Sequence, residues 1–309
     1  MHRTLLPWFL AFLLLILTMP CLSLAQAPSD ATSTSSPPPA PLSLARHYQF
    51  GEKFAYHMTA SNKGRYATKA YEADVDCEVK KDAAGTFTEE CAWSNLIVNK
   101  NPITLSAAAQ SFRQTLSLDP NTSPSVPDLS QVLPLIGPIT DLLTFYSDLW
   151  LANKLGQLHH VGDHFHFERG TPNSWADGNY VLLGQDSIDF DLSLVDESPQ
   201  GIATLVIRHV VPAQPQIKLP ADWMKAPVAG TPNNWVEVEK SGDGKFSAEI
   251  GKETFDVRLS IAADGKILSA TLDNPVEVLE RDCTEAELTH CGDPASYEIK
   301  RHIELTLAH

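Results

Sequence analysis

Motifs that announce a chemistry are missing from this sequence. It contains no Gly-x-Ser-x-Gly elbow, no P-loop, no Gly-x-Gly-x-x-Gly fingerprint, no His-Glu-x-x-His pair and no Cys-x-x-Cys. The usual signatures of a serine hydrolase, a nucleotide-binding fold, a zinc protease and a thioredoxin-like redox centre are therefore absent. Basic residues are scarce as well: 23 Lys and Arg against 38 Asp and Glu leave a formal charge of −15. A surface of that sign repels nucleic acid and anionic lipid headgroups alike. With 43% hydrophobic and 20% charged positions among 309 residues, a fully disordered, collagen-like or multi-span membrane chain is excluded too.

Long apolar runs are equally rare. The one that stands out, Leu5 to Leu17, follows Arg3 and precedes the small-residue ending Ser23-Leu24-Ala25, the tripartite pattern of a secretory signal over residues 1–25. It is shorter than the ~20 residues a bilayer-spanning helix requires. Lipid anchoring at Cys21 is disfavoured by the preceding Thr18-Met19-Pro20, which has no small residue next to the cysteine. The expectation is an exported protein, periplasmic or extracellular, with no stable membrane insertion after signal removal. Residues 26–46, with the Thr32 to Ser36 hydroxyl run and the Pro37-Pro38-Pro39 triplet, read as a disordered tether. One β-rich domain is then expected over residues 47–309.

Four cysteines remain after the signal, and in an oxidising compartment they imply two disulfides. Tyr71, Ala73, Val75, Cys77 and Val79 alternate with Glu72, Asp74, Asp76 and Glu78, the period of a strand with one wet face. Centring a hairpin on Ala84 puts Cys77 opposite Cys91 and Val75 opposite Trp93, close enough for a cross-strand bridge. Cys283 and Cys291 pair by elimination.

A helix is predicted from Pro138 to about Leu155, with Gly156 as its stop. Ile139, Leu142, Leu143, Tyr146, Leu149 and Trp150 make its apolar stripe, and Thr140, Asp141, Thr144, Ser147 and Asp148 fill the other face. Shorter helical segments are expected within 105–113 and 128–133. At the C-terminal end Tyr297, Ile299, Ile303, Leu305 and Leu307 share one strand parity; Arg301 breaks it, which places its guanidinium at an opening or against a carboxylate.

An internal repeat organises the second half. Gly170-Thr171-Pro172-Asn173-Ser174-Trp175 recurs as Gly230-Thr231-Pro232-Asn233-Asn234-Trp235, Gly184 to Leu194 matches Gly251 to Ile261, and Ala203-Thr204-Leu205 matches Ala270-Thr271-Leu272. The copies span 170–211 and 230–278, and Asp-Gly turns at 177–178 and 243–244 read as tight hairpins. Ile188, Phe190, Leu192 and Leu194 face inward with Phe255, Val257, Leu259 and Ile261, while Asp189, Asp191, Asp256 and Arg258 face water. The Pro-rich linker from Val211 to Gly230 reads as a long surface loop. About a dozen antiparallel strands follow, more than an open twisted sheet holds without curling. The predicted fold is mainly β: a curved sheet or partial barrel of two duplicated meanders, closed by the amphipathic helix.

That strand order resembles the half-barrel of periplasmic lipoprotein carriers. The runs Gly137 to Leu143, Thr171 to Gly178 and Gly251 to Val257 resemble those of an uncharacterised family of secreted bacterial proteins without assigned function. The resemblance spans most of the mature chain and implies no activity.

Candidate chemistry is sparse. His159-His160-Val161-Gly162-Asp163-His164-Phe165-His166 could bring His160, His164 and His166 to one metal ion in an envelope hydrolase or metalloprotein, or leave both strand histidines on a wet face beside a buried Phe165 and Phe167. The Glu72 to Glu78 carboxylates are too spread along a strand for a calcium cage, and the repeat-related Asp189 and Asp256 point to the convex side, away from any glycosidase cleft. Tyr146, Trp150, Trp175 and Trp235 are the ligand-binding candidates. A hydrophobic or lipid-like molecule would lie in the concave face, whereas a carbohydrate-binding module would stack its sugar on Trp175 and Trp235 with help from Asn173 and Asn233. No catalytic residue and no cofactor are assigned, so the leading expectation is an exported, non-catalytic β-protein whose concave apolar face holds a hydrophobic or lipid-like ligand or serves only as its core.

Overall fold

A computed structural model describes residues 41–82, 85–170, 172–174, 182–241 and 243–308. The signal sequence, most of the tether, Trp175 and the Asp177-Gly178 turn lie outside the described residues. Five strands come first: β1 (Lys53–Lys63), β2 (Thr68–Lys81), β3 (Phe87–Val98), β4 (Asn101–Pro102) and β5 (Gln114–Leu116), with a short helix α1 (Ala107–Ser111) between the last two. The long helix α2 (Ile136–Leu155) separates them from β6 (His164–Phe167), β7 (Asn173–Ser174), β8 (Leu182–Asp186), β9 (Asp189–Glu197) and β10 (Ala203–Val210). The chain ends with β11 (Trp235–Lys240), β12 (Phe246–Glu253), β13 (Phe255–Ile261), β14 (Ile267–Cys283) and β15 (Ala295–Ala308). All fifteen described strands belong to one curved antiparallel sheet that does not close into a barrel.

The sheet forks at β14. Its first part pairs with β13 through Asp273, its second part pairs with β12 from Val276 onward, and β15 runs along the opposite edge of both. Pro275 sits at the branch, where the missing N–H costs no ladder bond to a fixed neighbour. One wing continues as β13-β10-β9-β6 and the other as β12-β11-β8-β7, while β15-β1-β2-β3 forms the trunk. The duplication explains the fork. Copy one is β7 to β10 and copy two is β11 to β14, and each donates two strands to each wing, crossing over at Ser187-Ile188 and at Thr254. The matched rows turn inward as the alternation demands: Ile188, Phe190, Leu192 and Leu194 are buried, as are Val257, Leu259 and Ile261.

Cys77 lies opposite Cys91 and Val75 opposite Trp93 in the β2-β3 ladder, the predicted register. Disulfides join Cys77 to Cys91 and Cys283 to Cys291. Among the described residues, no helix is long and apolar enough to cross a membrane.

Three expectations change. Helix α2 begins at Ile136, two residues early, led in by a 3-10 turn at Leu133–Leu135 and ended by Gly156 at φ 57°. It has no wet face of the predicted kind: Asp141 and Asp148 are buried along with Phe145, because the curved sheet surrounds the helix on most sides. Folded structure also starts before residue 47, since Leu44 and Arg46 are buried. Thirdly, the Val211 to Gly230 linker holds no strand, but it is more than a surface loop. Ala221 and Met224 are buried against Val236, Val238, Ala248 and Ile250, and the Trp223 indole N–H donates to the Leu288 carbonyl at 2.9 Å. That makes a second, smaller core on the outer side of the β12-β11 wing.

The main core lies between α2 and the concave face. Ile139, Leu142, Phe145 and Leu149 are fully buried against inward rows from the trunk and the β13-β10-β9 wing. Each such side chain contributes roughly 1.5–3 kcal/mol of burial.

Candidate functional site

Helix α2 carries three polar side chains into this core, and the sheet answers each. Asp141 accepts a 2.6 Å hydrogen bond from the Tyr71 hydroxyl and pairs with Arg301, so of the two places its parity allowed, an opening or a carboxylate, Arg301 takes the carboxylate. Asp148, two turns on along the same side of the helix, sits 3.0 Å from His209 Nε2. The Tyr146 hydroxyl donates to Glu89 at 2.5 Å, and Arg46 reaches the same carboxylate at 3.2 Å. Burial pushes the Glu89 carboxyl above its usual range, against the pull of Tyr146 and Arg46.

His209 is wedged between Phe190 and Phe255, with ring centroids 4.5 and 4.7 Å away. Beyond it, where both copies cross between wings, lie two further buried acids. Asp186 ends β8 and Glu253 ends β12, and the repeat alignment makes them equivalent. Each is 6% exposed. Asp186 Oδ1, Glu253 Oε2 and His209 Nδ1 have no hydrogen-bond partner among the described residues. Burial and the neighbouring Asp186 push Glu253 up to about 8, although Asn274 donates to its other oxygen at 3.2 Å. Burial raises Asp186 as well, with Arg169, His209 and Asn173 pulling the other way.

Asn234, fully buried, ties the two crossings together. Its side-chain amide donates to the Ser187 and Glu253 carbonyls at 3.0 Å each, its Oδ1 accepts from the Glu253 N–H at 2.7 Å, and its carbonyl accepts from the Ser187 N–H at 2.7 Å. Trp235, next in the chain, stands opposite both Asp186 and Gly251. Gly251 is required there: a Cβ would meet the Trp235 ring at 3.2 Å and the Glu277 carbonyl at 2.5 Å. Outside the crossing, Ser187, Asp189, Glu168, Gln214 and Gln216 line a cleft of about 340 Å³.

The predicted ligand aromatics are dispersed. Tyr146 is committed to Glu89, and the partly buried Trp150 donates its indole N–H to the Asp119 carbonyl at 3.0 Å. Trp235 is 5% exposed and packs on Val276 and Val278, which leaves its faces to the protein. Asn233 organises the linker, donating to the Met224 and Ala226 carbonyls and accepting from the Val228 N–H.

His164 and His166 share the outer face of β6, opposite the partly buried Phe165 and Phe167. His166 Nδ1 lies 2.6 Å from Asp191, which raises its pKa, and His164 Nε2 lies 3.9 Å from the same carboxylate. At His160 the backbone N–H donates to Asp163 at 2.8 Å. Among the described residues, no three His, Cys, Asp or Glu side chains converge as metal ligands. Asp256 pairs with Arg208 at 3.0 Å on the outer surface, and Asp189 accepts from the Arg169 N–H.

The repeat-related acids Asp189 and Asp256 were set aside in the sequence as outward-facing; the pair three residues earlier in each copy is the one the fold buries. The inward repeat-related acids, Asp186 and Glu253, stand in the aligned runs Gly184-Gln185-Asp186 and Gly251-Lys252-Glu253 and were legible there. Comparison of the chain with protein-family models and with curated proteins finds no match.

Proposed function

We propose that this chain is an exported, non-catalytic binding protein that takes a hydrophobic or lipid-like ligand in the concave face now occupied by α2. The supporting observation is how α2 is held. No bond between main chains joins it to the sheet among the described residues; apolar side chains, the pins at Asp141, Tyr146 and Asp148, and the Gln114 amide of β5, which donates to the Ile139 carbonyl at 3.0 Å, hold it in the trough. An acyl chain satisfies the same apolar rows. At about 0.8 kcal/mol per methylene, a chain of roughly a dozen carbons offsets on the order of 10 kcal/mol of lost helix packing. Two disulfides suit an oxidising compartment.

Native mass spectrometry and solvent extraction of the secreted protein, followed by titration with a fluorescent fatty acid, test this reading. Co-purified lipid, or saturable uptake with faster amide exchange in α2, is expected. A protein that is empty on purification and takes up no probe overturns it.

A further inference from the structure

The seam between the copies suggests a function of its own. We propose that Asp186 and Glu253 form a proton-operated latch between the two wings of the sheet, closed while Glu253 carries a proton and loosened when that proton leaves. Four observations converge. The two acids occupy equivalent positions, each at the last residue before its copy crosses from one wing to the other. Both are nine-tenths buried, and each has an oxygen without a partner among the described residues. Asn234 staples the crossings through the Ser187 and Glu253 main chains, so water drawn toward an ionised Glu253 acts directly on the staple. Finally, Trp235 lies across both strands at that level, coupling the state of the seam to the packing of the wing.

The surroundings favour the neutral form of Glu253. Asp186 faces it from β8 and Glu237 from β11, both acidic, and β14 offers only the neutral Asn274 amide. The nearby basic side chains serve other groups: Arg169 and His209 act on Asp186, His209 is also bound to Asp148 of α2, and Arg301 of β15 is paired with Asp141. Two carboxylates in one dry site cannot both ionise without large cost, so the proton stays on one of them until the solution is mildly alkaline.

Stability and amide exchange of the full chain, measured from about pH 5 to about pH 9 in the wild type, Glu253→Gln and Asp186→Asn, test the latch. In the wild type the Ser187 and Glu253 amides are expected to lose protection by tenfold or more across this range after correction for intrinsic exchange, the factor corresponding to about one pKa unit of coupling. Glu253→Gln, an isostere of the neutral acid, is expected to stay protected throughout. Asp186→Asn removes the neighbouring charge and is expected to move the loss to lower pH. Wild-type pH dependence in Glu253→Gln, or alkaline loss of protection spread evenly over the sheet, overturns the proposal. Should Glu253→Gln fail to fold, the direction of the Asp186→Asn shift decides alone, and an unmoved midpoint refutes the latch.

Discussion

His209 Nε2 lies 3.0 Å from both carboxylate oxygens of Asp148, joining the middle of α2 to β10 inside the core. A helix that is apolar on most sides can rotate about its axis with little loss of burial. A buried hydrogen-bonded pair cannot follow that rotation, so the contact sets how α2 sits.

Breaking this pair from one side strands the other partner. Asp148→Leu is expected to destabilise the fold by about 3 kcal/mol, and Asp148→Leu combined with His209→Leu by less than the sum of the two single changes. Urea denaturation of the four proteins of a double-mutant cycle checks this; additive effects would disprove the coupling.

Gly251 and Gly230 separate two ways in which a glycine matters. Gly251→Ala drives a Cβ to within 2.5 Å of the Glu277 carbonyl and is expected to cost about 2–3 kcal/mol with a shift of Trp235 fluorescence. Gly230→Ala, at φ 73° with nothing within 4 Å, is expected to cost about 1 kcal/mol through backbone strain alone and leave Trp235 unchanged.

Nonreducing peptide mapping is expected to recover Cys77 joined to Cys91 and Cys283 joined to Cys291. Removing the first bridge by a double Cys→Ala change frees a loop of sequence separation 14 and is expected to cost about 3 kcal/mol in thermal or urea unfolding.

His166 and His302 each hydrogen-bond an aspartate across the outer face, which raises both above the ordinary histidine value. A raised folded-state pKa gives stability that is fully present in acid, below the unfolded value, and is lost as pH rises through the folded value. Both rings are close to half exposed, so each contributes only a few tenths of a kcal/mol. NMR titration is expected to place both midpoints above 6.5, with Asp191→Asn returning His166 toward its ordinary value.

Much of the architecture was written in short-range pattern. Alternation from Tyr71 to Val79 set the faces of β2, and with the turn position it set which cysteines meet. The repeat announced that β8 to β10 and β12 to β14 are the same ribbon twice. The buried role of Asp141 and Asp148 was hidden because periodicity reports which residues share a side of a helix and says nothing about how many sides are covered. Trp235 and Asn234 were visible as a repeated turn, yet their tasks depend on strands that approach from elsewhere in the chain.

By itself, then, the sequence determined strand faces, helix position, disulfide pairing and duplication, since each follows from neighbours within a hairpin, a helical turn or an aligned copy. Only the tertiary structure decided that the sheet forks at Pro275, that α2 fills the trough, and that Asp186, Glu253 and His209 share a dry seam. Those outcomes depend on which distant strands pair and how far the sheet curls, and a carboxylate's protonation follows from the groups that end up around it.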